Sequence, residues 1–100
     1  MSSRRLELQK ILEAIVPNVY FQPPASVKLK YPAIVYSIDS IQREFADNKQ
    51  YVVTRGYEVT VMTTNPDNTI IDKMLELPLC SFKTTFCLDN LYHYTFELYY

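Results

Sequence analysis

Apolar residues near the start of the chain are spaced as they are in a helix that buries one side. The residues at positions i, i+3, i+4 and i+7 of this stripe are Leu8, Ile11, Leu12 and Ile15. The spacing predicts an amphipathic helix over residues 4–16. Pro17 ends this helix, because proline lacks a backbone donor and clashes with the preceding turn.

A second helical stripe lies in the later half of the chain. Its members are Ile70, Ile71, Met74 and Leu75. The preceding Asn65-Pro66-Asp67 is a typical helix start, since asparagine caps, proline suits the first helical position and aspartate complements the helix dipole. We therefore expect a helix that begins near these residues and ends before Pro78.

Four segments have the alternation or the composition of β-strands. They are residues 33–41, 51–61, 82–88 and 91–99. The second alternates most clearly, with Arg55 on the same face as a row of apolar residues: Tyr51, Val53, Tyr57, Val59 and Val61. Its other face is polar, as expected for an antiparallel sheet that is covered on one side.

Residues 18–24 precede the first of these strands and contain Pro23 and Pro24. Because each proline removes a ladder donor, this segment is predicted to be an extended connector in which any strand must be short or at an edge. The predicted element order is then α-β-β-α-β-β. It indicates one α+β domain over residues 1–100, with a four-stranded, largely antiparallel sheet and both helices on one face.

The composition is that of a folded globular protein, since 48% of the residues are hydrophobic and 21% are charged. A net charge of −1 provides no field that would collect phosphates, so nucleic acid is not a favoured partner. Charged residues interrupt the apolar stretch of residues 6–16, which is unlike a signal sequence or a membrane span. We expect the protein to be made in the cytoplasm and to have no membrane partner.

Reactive side chains are few and far apart. His93 is the single histidine, and Glu97 on the same predicted strand would lie about 13 Å away, beyond the reach of a catalytic pair. Cys80 and Cys87 are predicted to be reduced, because they share one strand, and their spacing is not that of a metal site. We therefore predict no catalytic, cofactor or metal site, and no enzymatic activity.

The single glycine is Gly56, in the middle of a predicted strand. A phosphate-binding loop needs glycines at its turn, so one isolated glycine does not predict nucleotide binding. Gly56 instead indicates a bulge or a close backbone contact.

Tyrosine is the residue type that stands out, with nine in the chain. Three interpretations are open: ordinary β-propensity, a protein interface, or base stacking on the sheet. Base stacking is the least favoured, because Glu58 and Glu97 lie on the predicted wet face. Arg55 either extends its charge to solvent at the sheet edge or pairs with an acid across an interface.

Several short motifs between residues 6 and 100 resemble those of small neck and tail proteins of long-tailed bacteriophages, of which the tail terminator (tail completion) family is the most similar. The motifs are Val19-Tyr20-Phe21-Gln22-Pro23-Pro24, Lys30-Tyr31-Pro32-Ala33-Ile34-Val35-Tyr36, Asn65-Pro66-Asp67, Leu75-Glu76-Leu77-Pro78, Cys80-Ser81-Phe82 and Asp89-Asn90-Leu91-Tyr92-His93. They are structural motifs and contain no catalytic signature.

The resemblance implies a structural virion protein that assembles in the host cytoplasm into a ring, usually a hexamer. Such a ring caps the tail tube and joins it to the neck, so the implied partners are other copies of the chain, the tail tube protein and a neck or head completion protein. A heterologous ring contact uses two different patches on each subunit. The residues predicted for these patches are Tyr20, Phe21, Phe45, Asp47, Lys49 and Arg55.

Three alternatives remain at this point. Head completion (neck adaptor) proteins are similar in size and position. A monomeric adaptor that binds one protein through its tyrosine-rich strand predicts a single exposed aromatic patch. A ferredoxin-like nucleic-acid-binding module predicts a basic face and salt-sensitive binding.

Overall fold

The computed structural model describes residues 4–46, 50–65 and 69–100, with the backbone alone described for residues 42–46 and 50–54. In chain order the elements are α1 (Arg4–Ile15), β1 (Asn18–Phe21), β2 (Ala33–Ala46), β3 (Gln50–Thr63), α2 (Ile70–Leu75), β4 (Cys80–Leu88) and β5 (Leu91–Tyr99). The sheet order is β1-β2-β3-β5-β4. The first pair is parallel and the other three are antiparallel.

The predicted four-stranded sheet and the order α-β-β-α-β-β are therefore wrong. The sheet is five-stranded and mixed, and the extra strand is β1, within the segment that we predicted to be a connector. Asn18 to Phe21 pair in parallel with Ala33 to Tyr36, before the two prolines are reached. Proline ends this strand but does not prevent it, because the four paired residues all retain their backbone donors.

The helices are shorter than their patterns predicted. The helix predicted over residues 4–16 spans the twelve residues of α1, and Val16 N still donates to Leu12 O at 3.0 Å. α2 begins only at Ile70, while Asn65 N donates to the Thr63 hydroxyl at 3.1 Å and residues 66–68 lie outside the described residues. In the described part of the chain, neither helix has the length and apolar character needed to cross a bilayer.

One hydrophobic core lies between the helices and one face of the sheet. Both helices contribute to it, α1 through Leu8 and Leu12 and α2 through Met74. The strand residues of this core follow the two-residue alternation of β-strands: Ile34, Tyr36, Tyr57, Val59, Val61, Phe96 and Leu98. β5 lies between β3 and β4, so a strand flanks its Phe96 and Leu98 on each side.

The long hairpin of β2 and β3 extends beyond the rest of the sheet. β1 pairs with β2 no further than Tyr36, and β5 pairs with β3 no further than Gly56. In the described part of the chain, residues 41–46 and 50–55 then pair with each other and with no third strand, and we call these two segments the arm. The six residue pairs give the arm a length of about 20 Å, consistent with the 51 × 26 × 22 Å dimensions of the molecule.

The base of the arm is marked by a bulge and by the single glycine. The pairing register of β2 shifts between Ile38 and Ser40, directly opposite Gly56. A Cβ atom at Gly56 would lie 2.5 Å from the Ser40 hydroxyl oxygen and 3.1 Å from the ring of Tyr99. The prediction of a bulge or a close contact at Gly56 is thus confirmed, and the bulge is on the neighbouring strand.

Candidate assembly surfaces

In the described residues the outer edge of β4 is free, as are the outer edge of β1 and both edges of the arm, and the edges of β4 and β2 also carry exposed apolar side chains. In the described part of the chain β4 pairs with β5 on one side, and no strand lies on the other. Every residue of β4 after Cys80 is exposed. Three of these exposed residues are large and apolar: Phe82 at 48%, Phe86 at 50% and Leu88 at 60%. Natural proteins commonly protect such an edge, because a free apolar strand pairs with other chains.

The apolar side chains of β4 project from both faces of the sheet. Phe82 packs edge-to-face against the core residue Phe96, with ring centroids 5.6 Å apart. Phe86 lies on the opposite face, where it stacks on His93 at 4.4 Å and an interplanar angle of 10°. A strand that is added beside β4 would therefore contact apolar side chains above and below it.

A single charged residue interrupts this edge. Lys83 lies where the β4–β5 register shifts between Phe82 and Thr84, and its ammonium group is 3.4 Å from the Glu58 carboxylate. Both side chains are more than 40% exposed, so this pair adds little stability. Edge lysines oppose strand addition, but the ammonium group of Lys83 already contacts the Glu58 carboxylate.

On the opposite side of the sheet, the part of β2 that β1 does not cover has a free edge as well. Beyond the β1 pairing, Gln22 N donates to Tyr36 O at 2.9 Å, and Ile38 N donates to the Gln22 side-chain oxygen at 3.1 Å. In the described residues no strand covers the outer edge of β2 after this point, and we call residues 39–46 the free edge of β2. Ile38, just before this edge, is 38% exposed, and Ile41, within it, is 55% exposed.

Exposed large apolar residues of the sheet coincide with these two edges. Among the side chains that the structure describes, those on strands belong to β2 or β4: Ile38, Ile41, Phe82, Phe86 and Leu88. The remaining exposed large apolar residues lie on helices or loops: Leu6, Val27, Tyr31, Leu75 and Leu79. The exposure is therefore concentrated where the backbone is also unpaired, which is the arrangement expected of an association surface.

Two of the predicted interface residues, Tyr20 and Phe21, lie on β1 and are half-buried. The Phe21 ring packs against Tyr36 at 4.9 Å and under the Arg5 guanidinium at 4.4 Å. The Tyr20 hydroxyl accepts a hydrogen bond from Lys30 N at 3.4 Å. Both side chains thus hold α1 and the following loop against the sheet.

The other predicted interface residues belong to the long hairpin. Phe45 pairs with Tyr51 in the arm, and Arg55 pairs with Ile41 at its base, where Arg55 O accepts from Tyr100 N at 3.0 Å. Asp47 and Lys49 lie outside the described residues. The structure does not bring the described members of the set into one site.

Phe82, Phe86 and Leu88 were missed by the sequence analysis as interface residues. A signal was present, since the β4 sequence CSFKTTFCL has apolar residues on both faces and no clean alternation. We interpreted this segment as an ordinary strand, because its local sequence does not indicate which strands flank it in the sheet.

Polar and reactive groups near these edges make local contacts. His93 Nδ1 is 3.1 Å from Leu91 O, and the Tyr99 hydroxyl donates to a Glu97 carboxylate oxygen at 2.9 Å, which raises the pKa of that phenol. Both cysteines are free thiols; burial raises the pKa of Cys80, whereas Cys87 is exposed. Within the described ranges, no three histidine, cysteine or acidic side chains gather as metal ligands would.

Comparison of the chain with models of known protein families and with curated proteins gave no match. The edges of β4 and β2, the arm and the sequence motifs are the features that bear on function.

Proposed function

We propose that this chain is a structural subunit that assembles with other copies of itself into a closed ring in a bacteriophage tail. In this role it is a tail terminator, which caps the tail tube and joins it to the neck. The observation that carries the proposal is the arm, a two-stranded ribbon that extends about 20 Å from the sheet.

A two-stranded ribbon is only marginally stable in water, because its few side-chain contacts barely offset the conformational entropy that the chain loses when the ribbon forms. The arm has no third strand on either side in the described residues. A neighbouring subunit that packs against the arm would supply the missing contacts. A projecting arm and a free edge elsewhere on the same subunit suit a heterologous contact, the kind that closes rings.

The place of this ring in the tail follows from the resemblance of the sequence motifs to those of tail terminator proteins. The tail tube protein would bind one face of the ring, and a neck or head completion protein the other. Exposed apolar residues on β4 also suit a neck adaptor or a monomeric protein-binding adaptor, which would bind one partner without forming a ring.

The solution mass of the purified protein separates these functions. Light scattering over a wide concentration range should give a discrete ring-sized oligomer, a hexamer by resemblance, and electron microscopy should show it at one end of isolated tail tubes. A variant in which Asn-Gly replaces residues 42–54 closes the hairpin with a tight turn and should stay monomeric. A wild-type chain that neither oligomerises nor binds tube ends would contradict the proposal and favour an adaptor.

A further inference from the structure

We infer that β4 of one subunit pairs in an antiparallel manner with the free edge of β2, residues 39–46, of the next copy. This inference rests on the proposed ring and names the two patches that build it. The occupant of the β4 edge is thus a second copy of the same chain, and the sheet continues from subunit to subunit.

The topology places the two edges suitably for such a contact. β4 lies at one end of the strand order and β2 is open on the opposite side. β2 and β5 run in the same direction, because each is antiparallel to β3, and β4 runs opposite to β5. Two copies placed side by side in the same orientation therefore bring β4 against a β2 that runs the other way, which gives the better-paired antiparallel ladder.

The two edges also match in length, apolar character and charge. β4 has nine residues and the free edge of β2 has eight, 39–46. Exposed Phe82 and Phe86 on β4 lie on opposite faces, and exposed Ile41 is on the incoming edge. β4 contains one lysine and no acid, while residues 39–46 contain two acids and one arginine, so the net charges are opposite in sign.

The level at which the edges meet is compatible with a closed ring. Thr84, the central residue of β4, pairs with Thr95 of β5, which in turn pairs with Thr60 of β3. Thr60 pairs with Val35, so the centre of β4 lies at the height of Val35 along β2. The centre of residues 39–46 lies farther out along the arm by roughly 21 Å. Because the contact passes β1 by, four strands repeat per subunit, β2, β3, β5 and β4, and they span about 19 Å across the sheet. Repeating both displacements around a ring tilts the strands by about 48° from the ring axis, slightly more than the roughly 35–45° typical of closed barrels.

Pairing of β4 with β4 of another copy satisfies the structure less well. Such a contact is isologous and stops at a dimer, and it leaves the free edge of β2 and the arm without a partner. The β4-to-β2 contact pairs both the β4 edge and the free edge of β2 in every subunit of a ring.

The first experiment compares two double-lysine variants that add the same charge at exposed apolar positions. Phe86→Lys with Leu88→Lys alters the β4 edge, and the control, Leu6→Lys with Val27→Lys, alters α1 and a loop. We expect the edge variant to need at least a tenfold higher concentration for assembly than the wild type, and the control to assemble like the wild type. Circular dichroism establishes that both variants are folded.

The second experiment mixes the edge variant with the variant in which Asn-Gly replaces residues 42–54. The first retains the β2 edge and the second retains β4, so the mixture has one intact contact. We expect a one-to-one heterodimer and no larger species by native mass spectrometry. Failure to pair, when each variant alone is folded and monomeric, would overturn the inference.

A third measurement leaves the β4 edge unmodified and therefore does not depend on the folding of the edge variant. Cys87 is exposed on β4, so an added strand should slow its reaction with a thiol reagent by at least tenfold in the assembled protein, relative to the arm-shortened monomer. Equal reactivity in the two, or an edge variant that assembles as readily as its control, would overturn the inference and leave the ring intact. A wild-type protein that stays monomeric, alone and with tubes, would contradict the proposed function itself.

Discussion

The inner and outer halves of the β2–β3 hairpin belong to the same two strands but are held in different ways. In the inner half, Tyr36, Tyr57 and Val59 are fully buried under the helices, and further strands flank both sides. In the outer half, the arm, each strand has one partner. The buried half of the hairpin thus belongs to the core of the fold, and we propose that assembly depends on the other half. The predictions below test this division, from the largest expected effect on stability to the smallest.

Leu12→Ala should cause the largest loss. Leu12 is fully buried between α1 and the sheet, and its truncation leaves a cavity in the core. We expect the free energy of unfolding to fall by about 2–5 kcal/mol in urea titrations. Replacing residues 42–54 with Asn-Gly should change the stability of the monomer by less than about 1 kcal/mol, because those residues lie outside the core. A similar loss in both variants would show that the arm belongs to the folding unit.

Gly56→Ala tests the junction between the two halves. The added Cβ would meet the Ser40 hydroxyl oxygen at 2.5 Å and the Tyr99 ring at 3.1 Å, so the bulge or the ring must move. We expect a loss of about 1–3 kcal/mol, in the range of other overpacked sites. Adding Ser40→Ala should recover part of this loss, and no recovery would locate the strain at Tyr99 instead.

Two buried tyrosines in the core form a matched pair. The Tyr36 hydroxyl donates to the Gln9 side-chain oxygen and accepts from Arg5 Nη1 at 3.3 Å, whereas Tyr57 Oη is buried with no hydrogen-bond partner in the described part of the chain. Tyr36→Phe should destabilise the fold by about 1 kcal/mol. Tyr57→Phe should be neutral or stabilising, because it removes an unsatisfied polar group. The reverse order in thermal unfolding would contradict the described contacts.

The smallest effect is expected at alkaline pH. Burial raises the pKa of Tyr36, against the opposing influence of the Arg5 guanidinium, and burial raises the pKa of the Cys80 thiol. Groups whose folded-state pKa is raised contribute stability below their unfolded pKa and lose it as the pH rises through the folded value. Stability should therefore decline above a pH of about 9, first through Cys80 and then through Tyr36. Cys80→Ala should flatten the first part of this decline, and Cys87→Ala, the exposed control, should not.

The local patterns predicted most elements but not their arrangement. The stripe of Leu8 and Leu12 and the alternation through Val59 are determined by near neighbours in the chain, and both segments have the predicted type. β1 was missed because Pro23 and Pro24 dominated the interpretation of a segment whose first four residues still pair. Parallel pairing with β2 depends on a contact across a loop, and no local periodicity encodes it.

The candidate surfaces were harder to predict for the same reason. Phe82 and Phe86 are residue types that are typical of buried strands. They are exposed because β4 pairs with β5 alone and therefore lies at the end of the sheet. That strand order is set by the pairing of Val59 with Phe96, residues that are distant in sequence. Phe45 and Arg55 lie in the long hairpin, and the interface role that we predicted for them remains a prediction.

The position of β5 in the sheet also sets an order of events during synthesis. Among the described strands β5 is synthesised after the other four, yet it is the strand that joins β4 to the rest of the sheet. A nascent chain that ends before Leu91 has β4 but no strand to attach it, so the edge proposed to receive a neighbour does not yet exist. Synthesis of β5 therefore sets the earliest point at which the proposed association with other copies can begin.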